Sequence, residues 1–325
     1  MGPAFETTRR FWLSLSAVEP STSKTASTRV SEVLACWPPG PLDRETRSAI
    51  SESGRTTLRV TRIDSPSMAA ILLDVDGVLH VSGEAIPGAA AAVNRLREVG
   101  HRLRFVTNNT TTSRAALAEE LRAMGIQLED EELQTTPRAA AKALAGRRVL
   151  ALTMPAIVED LEGVELVGDS PEVVLIGGAD ETPETNSVFS YMNIARAFAE
   201  IDAGAELYSL HKNPWWQTSR GPLLDSGAFV AGLEYATGIE ATVLGKPSPA
   251  YFLAALEAVD ADPELTWMVG DDIEADIRGA QAHGMKTALV RTGKFRPDVV
   301  ERSRVMPDAI LSSIADLPEW LERRP

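Results

Sequence analysis

Positive charge is what this chain is short of. Its 325 residues hold 32 Lys and Arg against 46 Asp and Glu, a formal net charge of −14. Broad binding to nucleic acid or to anionic lipid needs the opposite sign, so neither partner is expected. A small anion is not excluded, because a local pocket can be positive on an acidic protein. Cysteine is scarcer still. Cys36 stands alone, which excludes an intramolecular disulfide framework and any multi-cysteine zinc or iron–sulfur site. No apolar run approaches the roughly 18–20 residues of a membrane-spanning helix. A Walker loop is missing, and no Gly-x-Gly-x-x-Gly follows a strand, so the two commonest nucleotide motifs are set aside.

What remains is a globular composition, 44% hydrophobic and 24% charged, with length for about two domains. The charge is uneven. Residues 1–67 carry nine Lys or Arg and seven Asp or Glu, with twenty Ser or Thr and six Pro, so the other 258 residues hold −16. Such a tail buries little apolar surface and reads as disordered or dispensable. Arg9-Arg10 before Phe11-Trp12-Leu13 resembles a twin-arginine signal, but the apolar stretch is short and stops at Glu19-Pro20. Seven acids are too many for an organelle transit peptide. Residues 1–67 are therefore expected to be an extension, or a start-site artefact with Met68 as the initiator, and cytoplasmic residence is the default.

From Ala69 the texture changes. Strand-like runs at 69–73, 103–106, 149–152, 164–167, 173–176, 206–210, 241–244, 266–269 and 286–290 alternate with helical stretches near 87–99, 112–124, 186–202, 227–237 and 249–259. A further helix runs to about His283. Alternation of this kind reads as an α/β fold with a doubly wound parallel sheet.

The polar residues gather where those strands end. Asp74-Val75-Asp76-Gly77, Thr107-Asn108-Asn109, Gly245-Lys246-Pro247 and Gly270-Asp271-Asp272 with Asp276 each stand at or just beyond the carboxyl end of a strand. Ligands of open α/β sheets bind at that end. The set suits phosphoryl transfer. Asp74 would be the nucleophile and Asp76, two residues on, the general acid and base. Lys246 would tether Asp74 and meet the phosphoryl oxygens, with Thr107, Asn108 and Asn109 as further donors. Carboxylates and a phosphate repel one another, so a hard divalent ion, Mg²⁺, is implied. Asp271 is the candidate opposing ligand, and Asp276 would orient it or a bound water. Asp272 would cap the following helix or support the site from behind.

These four motifs resemble the haloacid dehalogenase (HAD) superfamily of phosphohydrolases. The resemblance runs from Ala69 to the C-terminus and omits residues 1–67. It implies a Rossmann-like HAD core and a metal held by Asp74, the backbone carbonyl of Asp76, and Asp271. About 100 residues between Thr107 and Lys246 exceed what the core needs, which leaves room for an inserted α/β lid. That layout resembles the type IIA, NagD-like branch with its C2-type cap. The expected division is core at 68–138 and 245–325, lid at 139–244. Phrases such as Ser209-Leu210-His211-Lys212-Asn213 and Val290-Arg291-Thr292-Gly293-Lys294-Phe295-Arg296-Pro297 are most similar to the phospholysine phosphohistidine inorganic pyrophosphate phosphatase group. Asp76 departs from the serine of that group and favours hydrolysis of phosphomonoesters, with pyrophosphate or P–N bonds as extensions.

The expected function is thus a Mg²⁺-dependent phosphatase of small phosphate esters. The alternative is a catalytically silent HAD-like protein that holds a phosphate ligand. His211, Lys212 and Trp215 on the lid loop are expected to select the substrate, with His211, Lys212 and Arg220 placed to meet an extra anion. The branch also implies a homodimer through the lid. The physiological substrate is not legible.

Overall fold

A strand that is apolar at every position but its last must be buried on both faces, and Ala70–Asp74 (β1) is: all five residues are buried. The structure is a computed structural model that describes residues 68–323 apart from residue 219. The tail read at 1–67, with Cys36, lies outside the described residues.

After β1 come a small hairpin, His80–Val81 (β2) and Glu84–Ala85 (β3), helix Ala89–Glu98 (α1), strand Arg102–Thr107 (β4), helix Arg114–Ala123 (α2), strand Leu133–Thr135 (β5) and helix Thr136–Ala143 (α3). Strands Arg148–Leu152 (β6), Glu165–Leu166 (β7) and Val173–Ile176 (β8) follow, then helices Pro183–Val188 (α4) and Tyr191–Asp202 (α5). Next are strand Glu206–Ser209 (β9), the hairpin Trp215–Thr218 (β10) and Gly221–Leu224 (β11), helix Gly227–Thr237 (α6) and strand Thr242–Val243 (β12). Helix Pro249–Ala258 (α7), strand Thr266–Gly270 (β13), helix Gly279–Gln281 (α8), strand Lys286–Val290 (β14), helix Pro297–Ser303 (α9), strand Ala309–Leu311 (β15) and helix Leu317–Glu322 (α10) complete the order.

Two parallel sheets result. The first runs β15-β14-β13-β1-β4-β5 and the second β12-β9-β8-β6-β7. The doubly wound α/β expectation holds, with β1 between β13 and β4. Side chains of a strand alternate between faces. Ile71 and Leu73 therefore join the cluster with Phe105, Val269 and the helices α1 and α2, while Ala70 and Leu72 join the one with Met268, Tyr251 and Phe252. Burying a side chain such as Leu72 contributes about 1.5–3 kcal/mol.

Several local expectations needed correction. The helix read at 186–202 is two helices, broken at Phe189-Ser190, where the Ser190 side chain caps Asn193 N. The loop carrying the tandem tryptophans is the antiparallel hairpin β10–β11. The helix after Asp272 begins with a wide turn, Ile277 N donating to Asp272 O. The core–lid boundary expected at 138/139 falls inside α3. Ala139 of that helix packs on the core cluster of Tyr251, while Ala140 and Leu144 belong to the lid cluster of Val149 and Leu175. Among the described residues no helix is long and apolar enough to cross a membrane.

Candidate active site

Because β1 lies between β13 and β4, their carboxyl ends deliver Asp74, Asp271 and Thr107 side by side. Gly77 turns the chain away with φ of 88°. The turn also leaves space: a Cβ at Gly77 or at Gly293 would overlap the Asp271 carboxylate. Lys294 N, next to Gly293, donates to Asp271 Oδ2 at 2.6 Å. Two glycines and one backbone N–H thus cradle that carboxylate, and its Oδ1 has no such partner.

Lys246 Nζ lies 2.6 Å from Asp74 Oδ1 and 2.8 Å from Asp276 Oδ1, with all three side chains buried. Asp276 Oδ2 accepts from Asp272 N at 3.1 Å. The wide turn after Asp272 brings Asp276 back over that N–H. Asp276 therefore supports Lys246 and the Asp271–Asp272 backbone, a different contact from the expected one with Asp271. Asp272 caps the turn, accepting from Glu274 N and Ala275 N at 3.0 Å each.

Oxygens of Asp74, Asp271 and Asp276 all lie within 4.8 Å of one another. Burial first, then Asp276 and Asp76 nearby, push Asp74 up to about 7 against the opposing pull of Lys246. Asp271 is raised well above the usual range by burial and by Asp74 and Asp276. Burial would lower the Lys246 ammonium, but Asp276 and Asp74 more than offset it. The fit to a divalent cation follows from this donor set: buried hard oxygens in excess of the cations beside them. Lys246 holds Asp74 Oδ1 and faces Asp276 Oδ1, and Lys294 N holds Asp271 Oδ2, so Asp74 Oδ2 and Asp271 Oδ1 accept no hydrogen bond from the described residues and are open to a metal.

Asp76 lines the same cleft and is half exposed. Its Oδ2 accepts from Thr107 Oγ1 at 3.1 Å. Thr107 is fully buried, its hydroxyl committed to Asp76 and to Asn109 N. Tyr251 fixes its backbone, accepting from Thr107 N at 3.0 Å. Asn108 lines the cleft and also positions Lys246, since its amide is used at both ends. Nδ2 donates to Lys246 O and Oδ1 accepts from Lys246 N, each at 2.8 Å. Asn109 Oδ1 accepts from Thr111 N and Thr112 N, leaving its Nδ2 on the cleft.

Of the three expected lid residues, His211 alone lines the cleft. Its Nδ1 accepts from Asn213 N at 3.3 Å, which places the ring proton on Nε2, 3.0 Å from Thr110 Oγ1 of the core. Burial lowers its pKa, Asp225 opposing and Lys294 assisting. Lys212 turns outward and pairs with Glu234 at 2.6 Å. Arg220 pairs with Glu181. Trp215 lies under Arg296, 4.3 Å from guanidinium to ring centroid, and Lys294 at 5.9 Å. Alternation along β10 sends its neighbour Trp216 to the cleft instead.

Sequence reasoning missed Lys294. It lies on the loop after β14, its ammonium 3.5 Å from Asp272 Oδ2 and its backbone on Asp271. Only the pairing of β14 with β13 brings it there. The signal available was the Arg291–Pro297 phrase, which was noted without a role.

Known proteins resemble this chain in sequence and in fold. The profile described as haloacid dehalogenase-like hydrolase matches residues 71–167, and a related HAD-hydrolase-like profile matches 243–317. The phospholysine phosphohistidine inorganic pyrophosphate phosphatase of Xenopus laevis is 41% identical over 256 residues, 76% of this chain and 92% of that protein. The p-nitrophenyl phosphatase of Archaeoglobus fulgidus superposes with a TM-score of 0.72 at 27% identity, over 78% of this chain and 100% of its own. The glycerol phosphate phosphatase of Mycobacterium tuberculosis, solved in complex with magnesium, gives 0.67 at 29% identity, over 78% and 77% of the two chains.

Proposed function

The chain belongs to the haloacid dehalogenase-like hydrolases, and from that premise we propose that it is a magnesium-dependent phosphatase acting on small phosphorylated metabolites through a phosphorylated Asp74. The observation that carries this reading is Asp74 held by Lys246 at 2.6 Å inside the buried carboxylate cluster at the sheet's carboxyl end. Asp74 and Asp271, with the backbone carbonyl of Asp76 by resemblance, would hold the ion. When bound, Mg²⁺ offsets the carboxylate charge and draws electron density from the phosphoryl oxygens.

The chain's own groups divide the work. Lys246 orients Asp74, whose carboxylate attacks phosphorus while Asp76 gives its proton to the departing oxygen. Asp76, now ionised, takes a proton from water, and that water releases phosphate from Asp74. Thr107 holds Asp76 toward the cleft between steps. Lys246 and Asn109 Nδ2 are placed to balance charge on the phosphoryl oxygens. A protein that only held phosphate would need no acid–base carboxylate, so Asp76 beside Asp74 favours turnover over silent binding.

The test is hydrolysis of p-nitrophenyl phosphate. The wild type is expected to be active with Mg²⁺, inactive with EDTA, and to lose about a thousandfold or more in Asp74→Asn. Activity that survives EDTA, or that persists in Asp74→Asn, contradicts the mechanism.

A further inference from the structure

The two ends of the cleft differ in charge. The core end holds the carboxylate cluster with Lys246 and Lys294. Among the described residues, the lid contributes Ala179, His211, Asn213, Trp216, Gln217 and Asp225. Of these six, Asp225 is the one acidic side chain, and burial lowers the pKa of His211. The lid's own cations are spent elsewhere, Lys212 on Glu234 and Arg220 on Glu181.

Asp225 is itself buried, 5% exposed, yet it lines the cleft. Its Oδ1 accepts from Ser226 N at 2.7 Å and lies 3.8 Å from His211 Nε2, whose proton is directed to Thr110. No other described residue donates to this carboxylate. A carboxylate has about four acceptor positions, so a single protein donor leaves room for a further donor from the cleft. A ligand cation would complete it. Trp216 stands on the same wall, and an indole face favours a cation as well. Lys294 lines the cleft from the core side, its ammonium 3.5 Å from Asp272 Oδ2 and 5.9 Å from the ring of Trp215, the tryptophan that points away from the cleft.

We propose that Asp225 receives an ammonium group on the leaving part of the substrate, so that the preferred substrates are phosphate monoesters of amine-bearing small molecules. This rests on the phosphatase reading above. It also departs from the expectation of an extra anion: of the three residues placed to meet one, Lys212 and Arg220 pair with Glu234 and Glu181, and burial lowers the pKa of His211.

The experiment uses the full chain with Mg²⁺ and three matched series of alkyl phosphates, ending in an amine, a hydroxyl or a carboxylate at the same chain lengths. At the best length, kcat/KM for the amine should exceed that for the hydroxyl by at least about tenfold, equivalent to about 1.4 kcal/mol, and the carboxylate should be poorest. In Asp225→Asn the amine-to-hydroxyl ratio should fall toward one. Should that variant not fold, wild-type hydrolysis of p-nitrophenyl phosphate supplies the second measurement: alkylamines should compete more strongly than the matching alcohols. Equal or inverted preference in the wild type, an unchanged ratio in Asp225→Asn, or equal competition by amine and alcohol overturns the proposal. Absence of any p-nitrophenyl phosphate turnover would instead overturn the phosphatase reading on which it rests.

Discussion

Gly293 has no room for a side chain. Its φ is 56°, and a Cβ there would meet both the Asp271 carboxylate and Gly77. Gly293→Ala is expected to displace Asp271, weaken apparent Mg²⁺ affinity and lower kcat by about tenfold or more, read from a Mg²⁺ titration of the rate. Asn108→Ala removes both amide bonds to the Lys246 backbone. Its kcat should fall by about 10–100-fold with a smaller change in KM, because the lysine loop loosens while the cleft walls stay in place. The motif residues were legible because each follows an apolar strand, and strand ends are where such sheets bind ligands. The Asn108 amide and the Lys294 backbone were not. Their roles depend on which loops become neighbours, and that is decided by strand order.

At the scale of elements, the hairpin β10–β11 decides which tryptophan lines the cleft. Trp216→Ala should change relative kcat/KM across a panel of phosphate esters. Trp215→Ala should leave that ranking in place and lower stability by about 1–2 kcal/mol, through lost packing under Arg296, measured by denaturant melts. Reading this segment as a loop hid the alternation that separates the two. His211 joins the lid loop to Thr110, and its lowered pKa has a consequence for stability. The unfolded imidazole takes up a proton below about pH 6.5, whereas the native one resists until lower pH. The stability tied to His211 is thus fully present above about pH 6.5 and lost as pH falls toward the lowered native value. Urea midpoints should drop across that window in the wild type, and less steeply in His211→Asn.

At the scale of the molecule, the surplus of acid is compatible with an anionic substrate because cations are concentrated at one place, Lys246 and Lys294 beside the buried carboxylates. Both described sheets are built from residues 70–311, so a chain beginning at Met68 is expected to fold and to keep full p-nitrophenyl phosphate turnover. Loss of solubility or rate in that chain would assign the first 67 residues a role. The α/β class and the order of most elements could be read from strand–helix alternation. The edge of the lid could not, because α3 carries small alanines that serve two neighbours at once. That sharing bears on how the protein melts. With Ala139 in one apolar cluster and Ala140 and Leu144 in another, loss of α3 opens both together. Scanning calorimetry of the Met68 chain should therefore give a single endotherm whose van't Hoff and calorimetric enthalpies agree. The lid then has no melting temperature of its own, and a destabilising substitution in either half is felt by both.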